Sequence, residues 1–578
     1  MRRALRHRQA CLPGLLAVVI VFASAPARSA PADDRAKTSR ARATARENVE
    51  IDERTWVDHD RRPIQRPPEW EPSYWGSQVH QGFFEPLSHA FDVPDKLLWG
   101  ARLFGARTRR EAVNVNAFDE APNSSWFTNR NHRRPVPVEM LRGGPDPPFP
   151  PTKPWVIKHP KKGGFSVGFQ IVDADKRKWL VKLDPRGYPQ LTSGADMVSR
   201  TLIHAAGYNV PHNSPIRFHR GDLKIDPDLI RGKEGEQMTE ADLDTLLAQG
   251  ATFPDGSYSA YASLFLPGKP LGALSMERRR PGDTNDWYSH RNRRELRGLF
   301  VLAAWIGDWD LKDHQWLDMF VETRDSLGHV KHYLLDVGSS LGAGARGPKG
   351  LQSGYEYSLD FAWTLRRLVT LGFVTEPWRR ANQETGIPSV GNFESEVFKP
   401  EDYKARIPHP AFREMTDRDG YWGAKIVASF SDEQIAAAVD AAGYDDPRAR
   451  EFLVRNLIVR RDKIAKHWFG RVAPLDFFSV ENGTLRFRDL AVDVGIANAR
   501  SYEVDVEARG GGPTEGGGAG GRDKRARLRT PALPLVDFGI GASHLTVTIS
   551  VDGSEAKPAT VELARRGNQW IVTRVRHG

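Results

Sequence analysis

Cysteine is almost missing from this chain: a single residue, Cys11, stands among 578. It lies in a segment with the three parts of a secretory signal peptide: a cationic start (Arg2, Arg3, Arg6, Arg8), an apolar run from Leu12 to Ala23, and a small-residue site at Ala25-Pro26-Ala27. Residues 1–27 are expected to leave on export, and the only cysteine leaves with them. Thiolate catalysis, cysteine-ligated zinc, iron–sulfur clusters and disulfides are then excluded together. No later stretch approaches the roughly 20 apolar residues that span a bilayer, so no transmembrane segment is expected beyond the signal. No HExxH zinc motif occurs. A strong charge of one sign is also missing. The 83 basic residues face 73 acidic ones, mostly interleaved, for a net +10 of which four arginines belong to the signal. Nothing in that balance calls for a nucleic-acid partner.

What is present is length and order. A chain of 578 residues exceeds one ordinary core, so several domains are expected. Residues 28–95 form an N-terminal segment, a polar, disordered tether to about 50 followed by an irregular Pro- and Trp-rich strap. From Trp155 to Leu183, apolar stretches broken at Lys161-Lys162-Gly163-Gly164 and Asp173-Ala174-Asp175-Lys176 predict three antiparallel strands. A helix follows from about Gly194 to Ala206 and closes at Gly207. Arg291–Ile306 predicts a second helix, apolar enough at its end to be buried. Further helices are expected over 359–371, 432–442 and 447–469, the second behind a Ser431/Gln434 capping box and the third behind Asp446. After about Pro474, short alternating strands such as 544–551 predict a small β domain. Its glycine-rich insertion and the basic run Arg522 to Arg529 are expected to be a solvated loop.

Chemistry concentrates in WDLKDHQWLD (309–318), directly after the buried helix and before the short strand HYLLDVG (332–338). Asp310 and Asp336 stand at the ends of apolar elements, where a carboxylate is held rigidly yet faces a cleft. Phosphoryl transfer demands such placement, because positioning and charge cancellation supply most of its catalysis.

In these residues the chain resembles the protein-kinase-like superfamily, closer to its atypical HipA-like and CotH-like branches, as an exported bacterial member. Asp310-Leu311-Lys312-Asp313-His314-Gln315 is similar to that family's catalytic loop, and Asp336-Val337-Gly338 to its metal-binding Asp-Phe-Gly. The resemblance covers roughly residues 150–470 and implies an α+β fold: a bilobal core with an antiparallel β N-lobe and a helical C-lobe. The N-lobe with its extension would span 96–265, the C-lobe 266–474 and the small all-β domain 475–578, with LFLPGKPLG (264–272) as the hinge. It implies that Asp310 orients an acceptor hydroxyl, that Lys312 steadies the moving phosphoryl group, and that Gln315 and Asp336 hold Mg²⁺ or Mn²⁺. It further implies that Lys182 binds the phosphates of ATP or another nucleotide, that Asp196 is the ion-pair partner of Lys182, and that Gly163, Gly164 and Gly168 form the turn over the phosphates. Two positions depart from the family pattern: Gln315 stands where Asn is usual and Asp196 where Glu is usual. The expected protein is therefore a periplasmic or extracellular phosphotransferase acting on a protein, small-molecule or glycan hydroxyl. The alternatives are a catalytically inactive scaffold of the same fold that binds an envelope protein or glycan, and a glycan hydrolase using Asp308 with Asp336. Asp308, Asp313 and Asp318 are otherwise expected to be solvated or capping acids, Ser339-Ser340 to be part of a flexible stretch, and the polar aromatic run 113–131 to line a cleft.

Overall fold

A computed structural model describes residues 53–71, 109–143, 149–161, 164–231, 236–381, 385–510, 522–536, 538 and 541–578. The expected signal peptide, the tether to residue 50 and Gly163 lie outside the described residues.

The fold is mixed α+β with several sheets. The predicted meander is present as β1 (Trp155–Pro160), β2 (Gly168–Val172) and β3 (Lys178–Leu183). The turn from β2 to β3 is set by Asp173, whose carboxylate accepts from the Arg177 amide at 2.8 Å and the Trp179 indole at 3.0 Å. With β4 (Asn213–Phe218), β5 (Leu223–Ile225) and β8 (Tyr258–Leu264) these strands make a six-stranded sheet ordered β4-β8-β3-β2-β1-β5, while β6 (Ile230–Arg231) and β7 (Glu236–Gln237) form a separate small hairpin. Alternation puts Trp179, Val181 and Leu183 into this sheet's core and leaves Lys182 on the opposite face.

Helix α1 (Leu191–Ala206) leaves β3 through a cap made at a distance. The carboxylate of Asp184 accepts from the amides of Thr192 (2.7 Å) and Ser193 (2.9 Å), neutralising the helix start and fixing α1 to the end of β3. Beyond α2 (Glu240–Leu247), the stretch 264–272 carries the chain from β8 to β9 (Lys269–Gly272), which joins a second sheet. Its other strands, β10 (Trp316–Arg324) and β11 (Leu327–Leu334), follow the buried helix α3 (Arg294–Ile306). The predicted strand over 332–336 is thus only the end of a longer hairpin. Its first strand begins inside WDLKDHQWLD, where the charged residues hide the alternation.

Helices α4 (Phe361–Val369), α5 (Asp417–Ala428), α6 (Asp432–Asp440) and α7 (Pro447–Phe469) follow. The caps at Ser431 and Asp446 form as predicted, and α5 has its own capping box at Thr416 and Asp419. Helices α1, α3, α5, α6 and α7 share one large apolar cluster.

The C-terminal strands bury a separate cluster between two sheets. One contains β12 (Leu475–Glu481), β13 (Thr484–Asp489) and β16 (Ala532–Pro534). The other contains β14 (Tyr502–Arg509), β15 (Arg522–Leu528), β17 (His544–Val551), β18 (Ala559–Arg566) and β19 (Gln569–His577). The basic run read as a solvated loop is strand β15. Its arginines stand opposite the acids of β14, Arg527 across from Glu503 and Arg525 across from Asp505, and opposite charges directly across a ladder stabilise the pairing.

The run 113–131 is a buried junction rather than a cleft lining. Asp119 receives Arg294 (3.0 Å), Arg418 (2.7 Å) and the His577 ring (3.1 Å), while the Trp126 ring stacks on His332.

Candidate functional site

Lys182 lies opposite Gly168 of β2 and Tyr261 of β8, on the face of the sheet turned away from the core. Its Nζ is 2.9 Å from Oδ2 of Asp336, just beyond β11. Oδ1 of Asp336 accepts the Gly338 amide at 3.3 Å. Burial alone would push the Asp336 carboxyl up, but the Lys182 ammonium outweighs it and holds the group below the ordinary carboxylate range. The expected Lys182–Asp196 ion pair is not formed. Asp196 is fully buried on α1, where Asn213 Nδ2 donates to its Oδ2 at 2.6 Å, and its Oδ1 has no hydrogen-bond partner among the described residues. Burial pushes this carboxyl up to about 6. The reason is reach and competition: an aspartate is one methylene shorter than a glutamate, and the lysine is already engaged by Asp336.

Asp310 enters the same cleft from the loop after α3. Gly307 ends that helix in the left-handed region (φ 64°), and the loop is tied down by Trp309 N–H to Ser339 O (3.2 Å) and Arg406 N–H to Trp309 O (2.6 Å). Lys312 Nζ donates to both oxygens of Asp310 at 3.0 Å, Gln315 Nε2 to Oδ2 at 2.8 Å, and Arg406 Nη1 to Oδ1 at 3.2 Å. The structure thus brings Asp310, Lys312 and Gln315 together, with the glutamine amide nitrogen turned to Asp310.

The neighbouring acids are not solvated. Asp318 is buried between Arg280 and the His332 ring, each at 2.7 Å, and Asp313 is buried and accepts the Met276 amide at 3.2 Å. Asp308 is 2% exposed, and burial pushes its carboxyl up to about 7. It does not line the cleft, so Asp308 and Asp336 do not face a common substrate as a hydrolase pair. Ser340 is also buried, 2.6 Å from Ser199 Oγ, and anchors the stretch read as flexible.

The cleft has a volume of about 700 Å³. Among the described residues its charged walls are Lys161, Lys182, Lys312, Arg346, Lys349 and Arg406 against Asp310 and Asp336. Such an excess of cations in a concave site suits a ligand carrying several negative charges. Four of these cations were not singled out from the sequence: Lys161, Arg346, Lys349 and Arg406. The signal for two of them was legible, since basic residues inside the glycine-rich GAGARGPKG (342–350) mark a loop that bends close to an anion. Lys349 Nζ donates to Ser339 O at 2.6 Å, and burial lowers its ammonium to about 8. The Arg346 guanidinium lies 5.2 Å from the Phe165 ring, which joins this loop to the β1–β2 turn across the mouth of the cleft. In that turn Gly164 has φ 71° and lines the cleft, whereas Gly168 belongs to strand β2 rather than to the turn.

Among the described residues no three His, Asp or Glu side chains gather as a metal site. A Mg²⁺ or Mn²⁺ ion bound together with phosphates needs only one or two protein carboxylates. Asp336, whose Oδ1 has only a long backbone contact, fits that role.

No protein-family model matches the chain, and no curated protein matches it significantly. Solved structures similar to it include a crystal structure of the Golgi casein kinase, at 11% identity and a TM-score of 0.29, covering 58% of this chain and 77% of that one. They also include the Golgi casein kinase with Mn/ADP bound, at 13% identity and a TM-score of 0.22, covering 51% and 75%. Likeness at these scores carries no argument, so the functional reading rests on the geometry of the cleft.

Proposed function

We propose that this chain is an exported, kinase-like phosphotransferase that moves a phosphoryl group from ATP or another nucleotide to a hydroxyl of a protein, small molecule or glycan. The observation that carries the reading is the Lys182–Asp336 contact of 2.9 Å across a cation-rich cleft that Asp310 also enters. In this reading residues 96–265 and 266–474 are the two lobes of an atypical HipA-like or CotH-like kinase core. The β domain of 475–578 is an appendage, and the protein works in the periplasm or outside the cell.

The residues divide the work by position. Lys182 and Lys161 take the donor phosphates, with Gly164 allowing backbone approach. Asp310 accepts a hydrogen bond from the acceptor hydroxyl and so orients it, and Lys312 offsets charge on the phosphoryl oxygens. Asp336 and Gln315 would hold a divalent cation, which supplies further neutralisation of the phosphates when bound.

One observation favours a second reading, a catalytically inactive scaffold. Both oxygens of Asp310 are already taken by Lys312, Gln315 and Arg406, leaving little capacity for a hydroxyl. A single set of measurements separates the two. Thermal unfolding with nucleotide and Mg²⁺ or Mn²⁺ should show stabilisation of about 2.7 kcal/mol at a hundredfold excess over Kd, lost in Lys182→Ala and Asp336→Ala. Transfer of labelled γ-phosphate would establish the enzyme, and binding without transfer the scaffold. No metal-dependent stabilisation of the wild type would end the phosphotransferase reading.

A further inference from the structure

Exposed apolar side chains are not scattered evenly over this protein. Of the eleven large ones among the described residues, six fall within fifteen positions: Leu359, Leu365, Leu368, Val369, Leu371 and Phe373, between 43% and 87% exposed. Leu359 lies just before helix α4, and the others belong to the helix and the turn that ends it, where Leu371 (φ 48°) and Gly372 (φ 79°) reverse the chain. Helix α4 buries none of its residues. Leu365, Leu368 and Val369 share one face at spacings of three and four. The opposite face is turned to the body: Arg367 reaches Glu356 at 3.3 Å and also Glu376, and Trp363 lines a groove with Tyr355, Tyr357 and Trp378. The apolar face is therefore the outward one. A helix that turns its aliphatic side to water needs something to cover it.

The surroundings of the face identify what. Arg366 and Arg380 are exposed and form no ion pair among the described residues, Arg366 lying over the Trp363 ring, whereas Arg379 is paired with Glu376 at 2.6 Å. A short amphipathic helix with aliphatic and aromatic side chains on one side and arginines at its border is the pattern of an interfacial membrane helix. Shape points the same way. Leu365, Leu368, Val369, Leu371 and Phe373, 60–87% exposed, project into solvent as a ridge and do not line the groove behind it, which is walled in part by Ala362, Trp363 and Arg366. A ridge inserts into a deformable lipid surface, whereas a folded partner would have to supply a matching groove. A second copy of this chain is disfavoured by charge, because a twofold contact across this face would set arginine against arginine. We propose that 359–380 is a membrane-docking element that lies in the headgroup region of an anionic phospholipid bilayer. Leu365, Leu368, Val369, Leu371 and Phe373 enter the acyl boundary, and Arg366 and Arg380 meet lipid phosphates. This function is independent of phosphoryl transfer.

The test uses the chain lacking residues 1–27, which keeps every described residue and removes the apolar run of the expected signal. Co-sedimentation with phosphatidylcholine vesicles, with and without one-quarter phosphatidylglycerol, should show binding only to the anionic vesicles, weakening as salt is raised. L368D/F373D should lower the partition coefficient at least tenfold. R366E/R380E should lower it by roughly fivefold or more per arginine, as expected for a cation lost at an anionic surface. Equal binding by wild type and L368D/F373D overturns the proposal. So does a wild type that ignores anionic vesicles: if it is then a dimer that L368D/F373D dissociates, the face belongs to a second copy. If L368D/F373D instead lowers the melting temperature, another part of this chain covers the face.

Discussion

Lys425 offers the sharpest test of how the pieces of this protein are held together. Its buried ammonium donates to Asp476 at 2.8 Å and to Glu120, and Glu120 also accepts the Trp422 indole at 2.8 Å. Three parts of the chain meet there: the 113–131 junction, helix α5 and strand β12. Lys425→Met keeps the length of the side chain and removes the charge, leaving two carboxylates in the interior without the ammonium they share. Breaking a buried ion pair from one side costs about 3–5 kcal/mol, most of it the penalty of the stranded charge. The pH dependence follows from Asp476. Burial would push its carboxyl up, but Lys425 and the His577 ring outweigh that and hold it well below the ordinary carboxylate range. A depressed carboxyl contributes stability that is present above the unfolded value of about 3.9 and is lost only as pH falls through the folded one. The wild type thus keeps the contribution at pH 5. In Lys425→Met the stranded acids gain stability by taking up protons, so the deficit should be largest at pH 7–8 and shrink toward pH 4. Urea unfolding followed by tryptophan fluorescence at pH 8, 7, 5 and 4 measures this. Adding Glu120→Gln and Asp476→Asn to Lys425→Met should recover most of the loss at pH 7. A deficit below about 1 kcal/mol at pH 7, or one that does not change with pH, would refute the reasoning.

Two further substitutions probe the site itself. Gly168→Ala places a Cβ 2.2 Å from the Val181 carbonyl oxygen, a backbone clash next to Lys182. It should destabilise by about 1–3 kcal/mol and weaken nucleotide-dependent stabilisation, and an unchanged melting temperature would show that the sheet is less tightly paired there than described. Asp196→Asn should do the reverse to stability. Its carboxyl is raised to about 6, so the charged form is penalised at neutral pH, and Asn should gain about 3 kcal/mol at pH 7–8 with the gain gone below pH 4. Loss of stability at pH 8 would mean that Asp196 is paired after all.

How much of this was legible beforehand depended on the range of the interaction that decides each feature. Signals that act within a few residues were readable. The Ser431/Gln434 and Asp446 caps formed as predicted, and so did the three strands from Trp155 to Leu183, because alternation and turn residues specify them locally. The strand over 522–528 was hidden for the opposite reason: it is stabilised by acids on β14, across a glycine-rich insertion, and read alone it is only a basic run. Asp308 and Asp318 were misread because an aspartate next to a motif looks solvated until the fold shows what is packed over it. Arg280, 38 residues from Asp318, is invisible to any local pattern.

The candidate site divides along the same line. Lys182, Asp310, Lys312 and Asp336 could be proposed because each stands at a recognisable position on its own element. Lys161, Arg346, Lys349 and Arg406 come together only when the six-stranded sheet faces the loop after β11. The Asp196 expectation failed for a physical reason of wider use. A lysine in a cleft takes the acid that offers the best geometry at the lowest desolvation cost. Here that acid is Asp336, whose side chain is still one-third exposed, rather than the fully buried Asp196. An anion entering the cleft would compete with Asp336 for Lys182, so nucleotide binding should loosen the 2.9 Å Lys182–Asp336 contact while the fully buried Asp196 stays with Asn213.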